Sequence, residues 1–521
     1  MSDVSGVEEK KGVRLSLEDF DRLLVSRSAP SLSPAQQARM EEVRAFIEYL
    51  LEKKIRVYGL TTGFADLRNF SVDADKAALL SRNMILSHDA GIGPPLPSSV
   101  TYGAMYLRAH SLAQGYSGFS LESMTTLLKM IEAEIIPEIP STGSLGASGD
   151  LAFLARLGRA MMGEEVPVTF GGERMSATQA LARARIAPMI PKAKEGLALT
   201  NGTPFMASMV AQSYSRILRF YDRLFPLLGL FLSAVDAVDD AFCTSIQTVR
   251  NQRGQEHVAA LLRPYLSVVE SSEVQNDYCI RCLPQILGPK LEVVWEQREK
   301  IERELNAVTD NPLIFRGEEI SPDIRTSQRI HFQGLDWAVV SGGNFHGETS
   351  ATVADILAIT NAKVALTLER QITYLFNPAR NGHKLPVYLI PDRRSAGYQS
   401  GFMITQYTAN ALAHKISLLA HPASAMNITS ANEAEDVVSY GATAAHKLYD
   451  QAGLLEELLA IYLLASTQAY AIARQNQRQR NRACEDLYEF FAQHLQLPQM
   501  EDQSFDHKYR VALSLIQSGR F

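Results

Sequence analysis

The chain has 521 residues, enough for about three average domains or one large helical unit. It is 46% hydrophobic and 21% charged with a formal net charge of -6, which argues against a disordered tract, a collagen-like repeat and a basic nucleic-acid wrapper. Only four cysteines occur, Cys243, Cys279, Cys282 and Cys484, too few for a disulfide-built secreted scaffold. Residues 1–12 are polar and expected to be loose, with no apolar signal core. From Pro34 a helix is predicted, because Met40, Val43, Ile47 and Leu50 recur at helical spacing. The glycines and threonines of YGLTTGFADL (58–67) predict a loop. Residues 74–90, 101–115 and 121–136 again read as helices. Asp150 is expected to cap the helix that follows it, whose apolar side uses Leu151, Leu154, Leu157 and Met161. A short hairpin over 163–175 is the only clear strand signal in the first 200 residues.

Beyond Thr203 the pattern changes to very long helices. One is expected over 208–238 with a kink or break at Pro226, and others over 287–308, 351–377, 400–421 and 442–477. The longest strongly apolar run, 226–235, is half the length of a membrane span, so no transmembrane segment is expected. RQNQRQRNR (474–482) reads as a solvated basic helix surface without the aromatics that stack on bases. Long helices with few strands predict a mainly α helical bundle with a small mixed N-terminal region. We divide the chain into 1–200, mostly helical, and 201–521, the long-helix bundle with a C-terminal helical tail.

The segment TGSLGASGDLAFL (142–154) carries the most specific chemistry. Its three glycines are followed by neither Lys-Ser nor Lys-Thr and lack dinucleotide-loop spacing, so they make no phosphate cradle. Ala147-Ser148-Gly149 offers something else. Gly149 has no side chain, so its amide nitrogen can approach the Ala147 carbonyl and close a five-membered ring. Loss of water from that ring and from Ser148 leaves an exocyclic methylene, an electrophile that no unmodified side chain supplies. Six further segments stand beside it along the chain: YGLTTGF (58–64), EGLALTNGT (195–203), VQNDYCIRCLPQILG (274–288), TDNP (309–312), SGGNFHGE (341–348) and HPAS with EDVVSYG (421–441).

This set resembles the aromatic amino acid ammonia-lyases and their related 2,3-aminomutases, over roughly residues 55–445. The resemblance implies a long-helix bundle of the ammonia-lyase and fumarase-like type. It implies a 4-methylidene-imidazol-5-one formed autocatalytically from Ala147-Ser148-Gly149, with no external cofactor and no metal. Cys279-x-x-Cys282 therefore receives neither a redox nor a metal role. By the same resemblance Tyr58 takes a β-proton, Tyr278 helps the amine depart, and Arg281 binds the substrate carboxylate. Arg281 lies three residues after Tyr278, so on a helical turn the two share a face. Asn201 and Gln275 donate to the imidazolone oxygen or the substrate, and Phe345 packs beside the group. A homotetramer with shared active sites, a small amino acid substrate and a cytoplasmic location are also implied, with no nucleic acid and no membrane.

Pocket positions address the substrate. Ser87-His88, Glu435 and Met403 resemble the histidine enzymes, although the Ser-His pair is also similar to that of some tyrosine 2,3-aminomutases and His88 can hydrogen-bond either an imidazole or a phenol. A glutamate can accept a hydrogen bond from an imidazole N–H and favours its charged form, whereas a glutamine can accept the bond but carries no charge. L-Histidine to trans-urocanate is the expected reaction. TTG (61–63) and ERQI (369–372) are more similar to the aromatic lyases and aminomutases, so the alternatives are a tyrosine ammonia-lyase or a histidine or tyrosine 2,3-aminomutase. Asp89, Asp277 and Lys384 are the polar candidates should the substrate be a modified aromatic. A non-enzymatic helical scaffold would have lost the triad or its tyrosines, and none is lost.

Overall fold

The computed structural model describes residues 14–266, 273–475, 481–519 and 521. The expectation for 1–12 and the middle of the basic stretch, 476–480, lie outside the described residues. Eighteen α-helices run through the described residues, between short strands, so the protein is mainly α.

By contacts the chain forms two compact units, Met1–Gln212 with Glu299–Val353 and Ala423–His446, and Ser213–Arg298 with Ala354–Pro422 and Lys447–Phe521. The sequence division at 200/201 is consecutive, whereas these units interleave along the chain.

In the first unit the helix Pro34–Glu52 starts where expected. Ser33 and Gln36 form a reciprocal capping box and proline takes the first turn, where its missing N–H costs nothing. Its apolar stripe buries Val43, Phe46, Ile47 and Leu50 in a cluster with Leu60, Ile314 and Trp337. Phe46 stacks on Trp337 with ring centroids 4.6 Å apart. Trp337 and Ile314 come from an antiparallel sheet, Leu313–Arg316, Leu335–Val340 and Arg329–Phe332, absent from the sequence expectation. The predicted hairpin is present as Pro167–Phe170 and Glu173–Ser176, and Ile136–Pro137 extends it to three strands. A further pair, Ile92–Pro95 with Pro140–Thr142, brings the chain after His88 beside the start of the glycine-rich loop.

The predicted long helices are found at Pro204–Ala234, Leu283–Leu305, Glu348–Phe376, Met403–Leu419 and Gly441–Ala473. The first runs as one helix through Pro226, so of the expected kink or break the break does not occur. Proline's fixed φ suits a helix, and burial of Leu224, Leu227 and Leu228 around it outweighs the lost hydrogen bond. In the second unit, polar side chains tie helix to helix within the core. The Tyr462 hydroxyl donates to Gln371 at 2.7 Å, and Gln451 accepts from Asn361 at 2.9 Å while donating to the Ala358 and Ile416 carbonyls. Such pairing removes the cost of burying those groups. One helix, Glu348–Phe376, is long and apolar enough to cross a membrane by length and composition, which sequence inspection missed. Most of its apolar window is buried inside the protein, the pattern of a core helix.

Candidate active site

The glycine-rich loop turns just ahead of the Leu151–Met161 helix, and three of its glycines adopt positive φ. At Gly149 this is obligatory for space as well as conformation: a Cβ there would lie 2.2 Å from the Gly202 carbonyl oxygen. Residues 148–150 are zipped onto 201–206. The Asn201 side-chain amide donates to the Ser148 carbonyl at 2.7 Å, and the Asp150 amide donates to the Gly202 carbonyl at 2.6 Å. Asp150 makes no side-chain cap on its own helix, which corrects the sequence expectation. Its carboxylate instead accepts from the Phe205 and Met206 amides at 2.8 and 3.2 Å, capping the Pro204–Ala234 helix from 55 residues away. Complete burial, reinforced by the nearby Glu304 charge, pushes the Asp150 carboxyl up to about 7, against those hydrogen bonds.

A cavity of about 360 Å³ opens over this loop, lined by Tyr58, His88, Asn201, Phe345 and Glu435 with residues 143–149. That volume suits a small aromatic molecule. The half-buried Tyr58 comes from the 58–67 loop, and its hydroxyl oxygen accepts the Ala65 amide at 2.9 Å. His88 ends the Ala77–His88 helix, edge-on to Phe64 at 5.4 Å. Burial lowers the His88 pKa, while a hydrogen bond to the Met84 backbone and the Glu435 charge pull it back up. Glu435 reaches in from the other side of the chain: one carboxylate oxygen accepts the Ser148 hydroxyl and the other the Ser430 hydroxyl.

A profile for the aromatic amino acid lyases matches residues 15–493. The chain belongs to that family. Among its relatives, histidine ammonia-lyase of Alkaliphilus metalliredigens is 37% identical over 470 residues, 88% of this chain and 87% of the relative. The Stigmatella aurantiaca histidine ammonia-lyase is 36% identical over 520 residues, covering 98% and 96%. Among solved structures, histidine ammonia-lyase from Trypanosoma cruzi matches with TM-score 0.83 and 31% identity, over 97% of this chain and 92% of that one. Pantoea agglomerans phenylalanine aminomutase matches with TM-score 0.85 and 25% identity, over 98% of each. The protein is thus an enzyme of the carbon–nitrogen lyase class.

The structure places Tyr58, His88, the triad, Asn201, Phe345 and Glu435 around one cavity of this aromatic lyase. The remaining candidates belong to the second unit. Gln275 and Arg281 line a cavity there of about 270 Å³. Tyr278 opens the short helix Tyr278–Arg281 and is 68% exposed, with the Arg281 guanidinium 4.5 Å over its ring, as their spacing predicts. Met403 starts the helix Met403–Leu419. The reserve polar residues are engaged elsewhere: Asp89 by Arg156 and Arg159 at 2.6 and 2.5 Å, Asp277 by Arg380 at 2.6 Å, and Lys384 by Glu273 at 3.0 Å. Sequence reasoning missed Ser430 and Phe64, although both stand inside or beside motifs it used. Among the described residues no group of three His, Cys, Asp or Glu side chains is placed to hold a metal ion.

Proposed function

We propose that this lyase eliminates ammonia from L-histidine to give trans-urocanate, with an electrophile made from Ala147-Ser148-Gly149. The observation that carries the histidine assignment is the Glu435 carboxylate inside the cavity, with His88 lining the same cavity and close enough to feel its charge. The triad fits the methylidene-imidazolone. Ring closure keeps the Ser148 carbonyl as the ring oxygen, and that oxygen already receives the Asn201 amide at 2.7 Å. Gly202 packs where any side chain at 149 would sit. When formed, the group supplies an electron-poor methylene that accepts the substrate amine.

Every other part falls to side chains. Asn201 holds the ring oxygen and withdraws electron density through it. Glu435 accepts the imidazole N–H, which fixes the ring and the Cβ hydrogens it carries. Tyr58 takes the β-proton at its oxygen as the phenolate, which becomes the neutral phenol, Phe345 closes one wall, and the Cα–N bond breaks as the double bond forms. We assign Arg281 to the substrate carboxylate, Tyr278 to the departing amine, and Gln275 and Met403 to the pocket, each delivered by neighbouring copies in a homotetramer. The exposed Tyr278 ring supports that reading, because a large aromatic beside a guanidinium is a favourable surface for another copy to cover. Four free cysteines suit a reducing cytoplasm.

The likeness to an aminomutase favours one second reading, a 2,3-aminomutase, which would use the same groups but return the amine to the β-carbon. One experiment addresses both. The purified protein is incubated with L-histidine, L-tyrosine and L-phenylalanine, with unsaturated acids followed by absorbance and α- and β-amino acids resolved by chromatography. Urocanate from histidine as the main product supports the proposal. Tyrosine as the better substrate refutes the histidine assignment, and β-histidine accumulation moves it to the mutase.

A further inference from the structure

We infer that Ser430 is a positioning residue for substrate selectivity, holding the Glu435 carboxylate so that one oxygen stays free for a side-chain N–H donor; this rests on the histidine reading above. The two Glu435 oxygens are differently placed. One accepts the Ser430 hydroxyl within its own loop, and the other accepts the Ser148 hydroxyl across the cavity. The Ser148 hydroxyl is the one that leaves as water when the methylidene forms. Maturation therefore strips the donor from one oxygen and leaves the other engaged. A half-buried carboxylate oxygen without a donor is costly, and the imidazole N–H of a bound substrate satisfies it.

The backbone reinforces this presentation. Ser430 and Glu435 exchange backbone hydrogen bonds at 3.2 and 3.3 Å, and the Ala434 amide donates to the Ala431 carbonyl at 3.0 Å. Between them Ala431, Asn432 and Glu433 take φ values of 50°, 51° and 65°, three successive left-handed non-glycine residues. That turn is strained, so it persists only where its surroundings hold it. The Ser430 hydroxyl bond is the side-chain part of that hold. Asn432 adds another, donating to Asp66 of the Tyr58 loop at 3.0 Å. Without the Ser430 hydroxyl, Glu435 keeps its charge but can rotate away from the direction an imidazole requires.

The test compares parent, Ser430→Ala and Ser430→Thr as intact, purified protein. Three readouts are taken: intact mass, calorimetric affinity for trans-urocanate and for cinnamate, and kcat/KM for histidine. Cinnamate has the same carboxylate but no ring N–H. Ser430→Ala is expected to keep the parent mass loss of two waters and to bind urocanate about tenfold more weakly, the lower end for one charge-assisted bond. Its cinnamate affinity should stay within about twofold, kcat/KM for histidine should fall in step with urocanate, and Ser430→Thr should restore both. Equal losses for both acids, or no loss for either, would overturn the inference. A missing mass deficit would overturn it too, by showing that the contact serves ring formation. A parent that shows no preference for urocanate over cinnamate would instead sink the histidine reading on which it stands.

Discussion

Replacing Gly149 by alanine probes the proposed maturation of 147–149 without touching any polar group. The added Cβ would sit 2.2 Å from the Gly202 carbonyl oxygen and 2.6 Å from both its carbonyl carbon and its nitrogen. Ordinary non-bonded contact for carbon is about 3.5 Å, so the overlap exceeds an ångström and is against backbone. That backbone is anchored, because the Gly202 carbonyl accepts the Asp150 amide at 2.6 Å. A left-handed φ adds about 1–2 kcal/mol and overpacking about 1–3 kcal/mol. The sum lies below the 5–15 kcal/mol that typically holds a folded domain, so the variant should fold with 147–149 displaced from Asn201. Mass spectrometry of the parent is expected to show a deficit of about 36 Da, two waters, and Gly149→Ala should show none and no turnover. Gly171 provides the control, since its φ is +59° and nothing lies within 4 Å of its would-be Cβ. Gly171→Ala carries the backbone strain alone and should keep the full deficit. A full deficit in folded Gly149→Ala would refute the packing argument.

Asn201→Ala removes the 2.7 Å donor to the Ser148 oxygen, so kcat is expected to fall about 10²–10³-fold while the protein stays folded; an unchanged kcat at full mass deficit would refute the Asn201 role. Asp150 sets a pH dependence of stability. Its carboxyl is raised in the folded state to about 7, so the native chain binds the proton more tightly than the unfolded one, and that contribution is lost as pH rises toward 7 and flat above it. The urea midpoint of the parent relative to Asp150→Asn should therefore drop between about pH 4 and 7 and then level off, whereas a pH-independent gap would show that Asp150 titrates normally.

What the sequence made legible was chemistry with few substitutes. Only glycine suits residue 149, where a Cβ would meet Gly202, and the three-residue spacing put Arg281 on the face of Tyr278. Long helices were legible too, because burial on several sides makes them apolar over many turns. What failed was anything decided by a distant partner. Asp150 stands directly before a helix, so local rules assign it there, yet the amides it caps belong to Phe205 and Met206. Pro226 reads as a breaker because its buried neighbours cannot be seen from the chain alone. The sheet of Leu313–Arg316, Arg329–Phe332 and Leu335–Val340 hides in strands of four to six residues whose apolar faces match only once paired. Interleaving of the two units is likewise invisible, since no composition change marks where 299–353 and 423–446 return to the first.

The first unit buries several charged side chains, Arg108, Asp150, Lys194 and Asp310 among them, and the partners explain why they persist. Arg108 is fully buried, and burial pushes its pKa down to about 10, which still leaves it charged near neutrality. It donates to the backbone carbonyls of Asn201 at 3.0 Å and Thr309 at 3.1 Å, and to that of Ala198. Lys194, also fully buried, pairs with Asp310 at 3.1 Å and donates to the Ser117 carbonyl at 2.9 Å. Buried ion pairs are seldom a net source of stability, because desolvation offsets attraction. Their value here lies in which carbonyls they fix. One guanidinium spans the Asn201 turn, which touches the Ser148 oxygen, and the 309–311 turn, where Asn311 reaches the cavity wall and accepts the Gly342 amide at 2.7 Å. An apolar replacement could fill that space but could not satisfy three carbonyls at once. The site is therefore pre-shaped, and the atoms of 147–149 are held against Asn201 by a frame that costs stability and returns geometry.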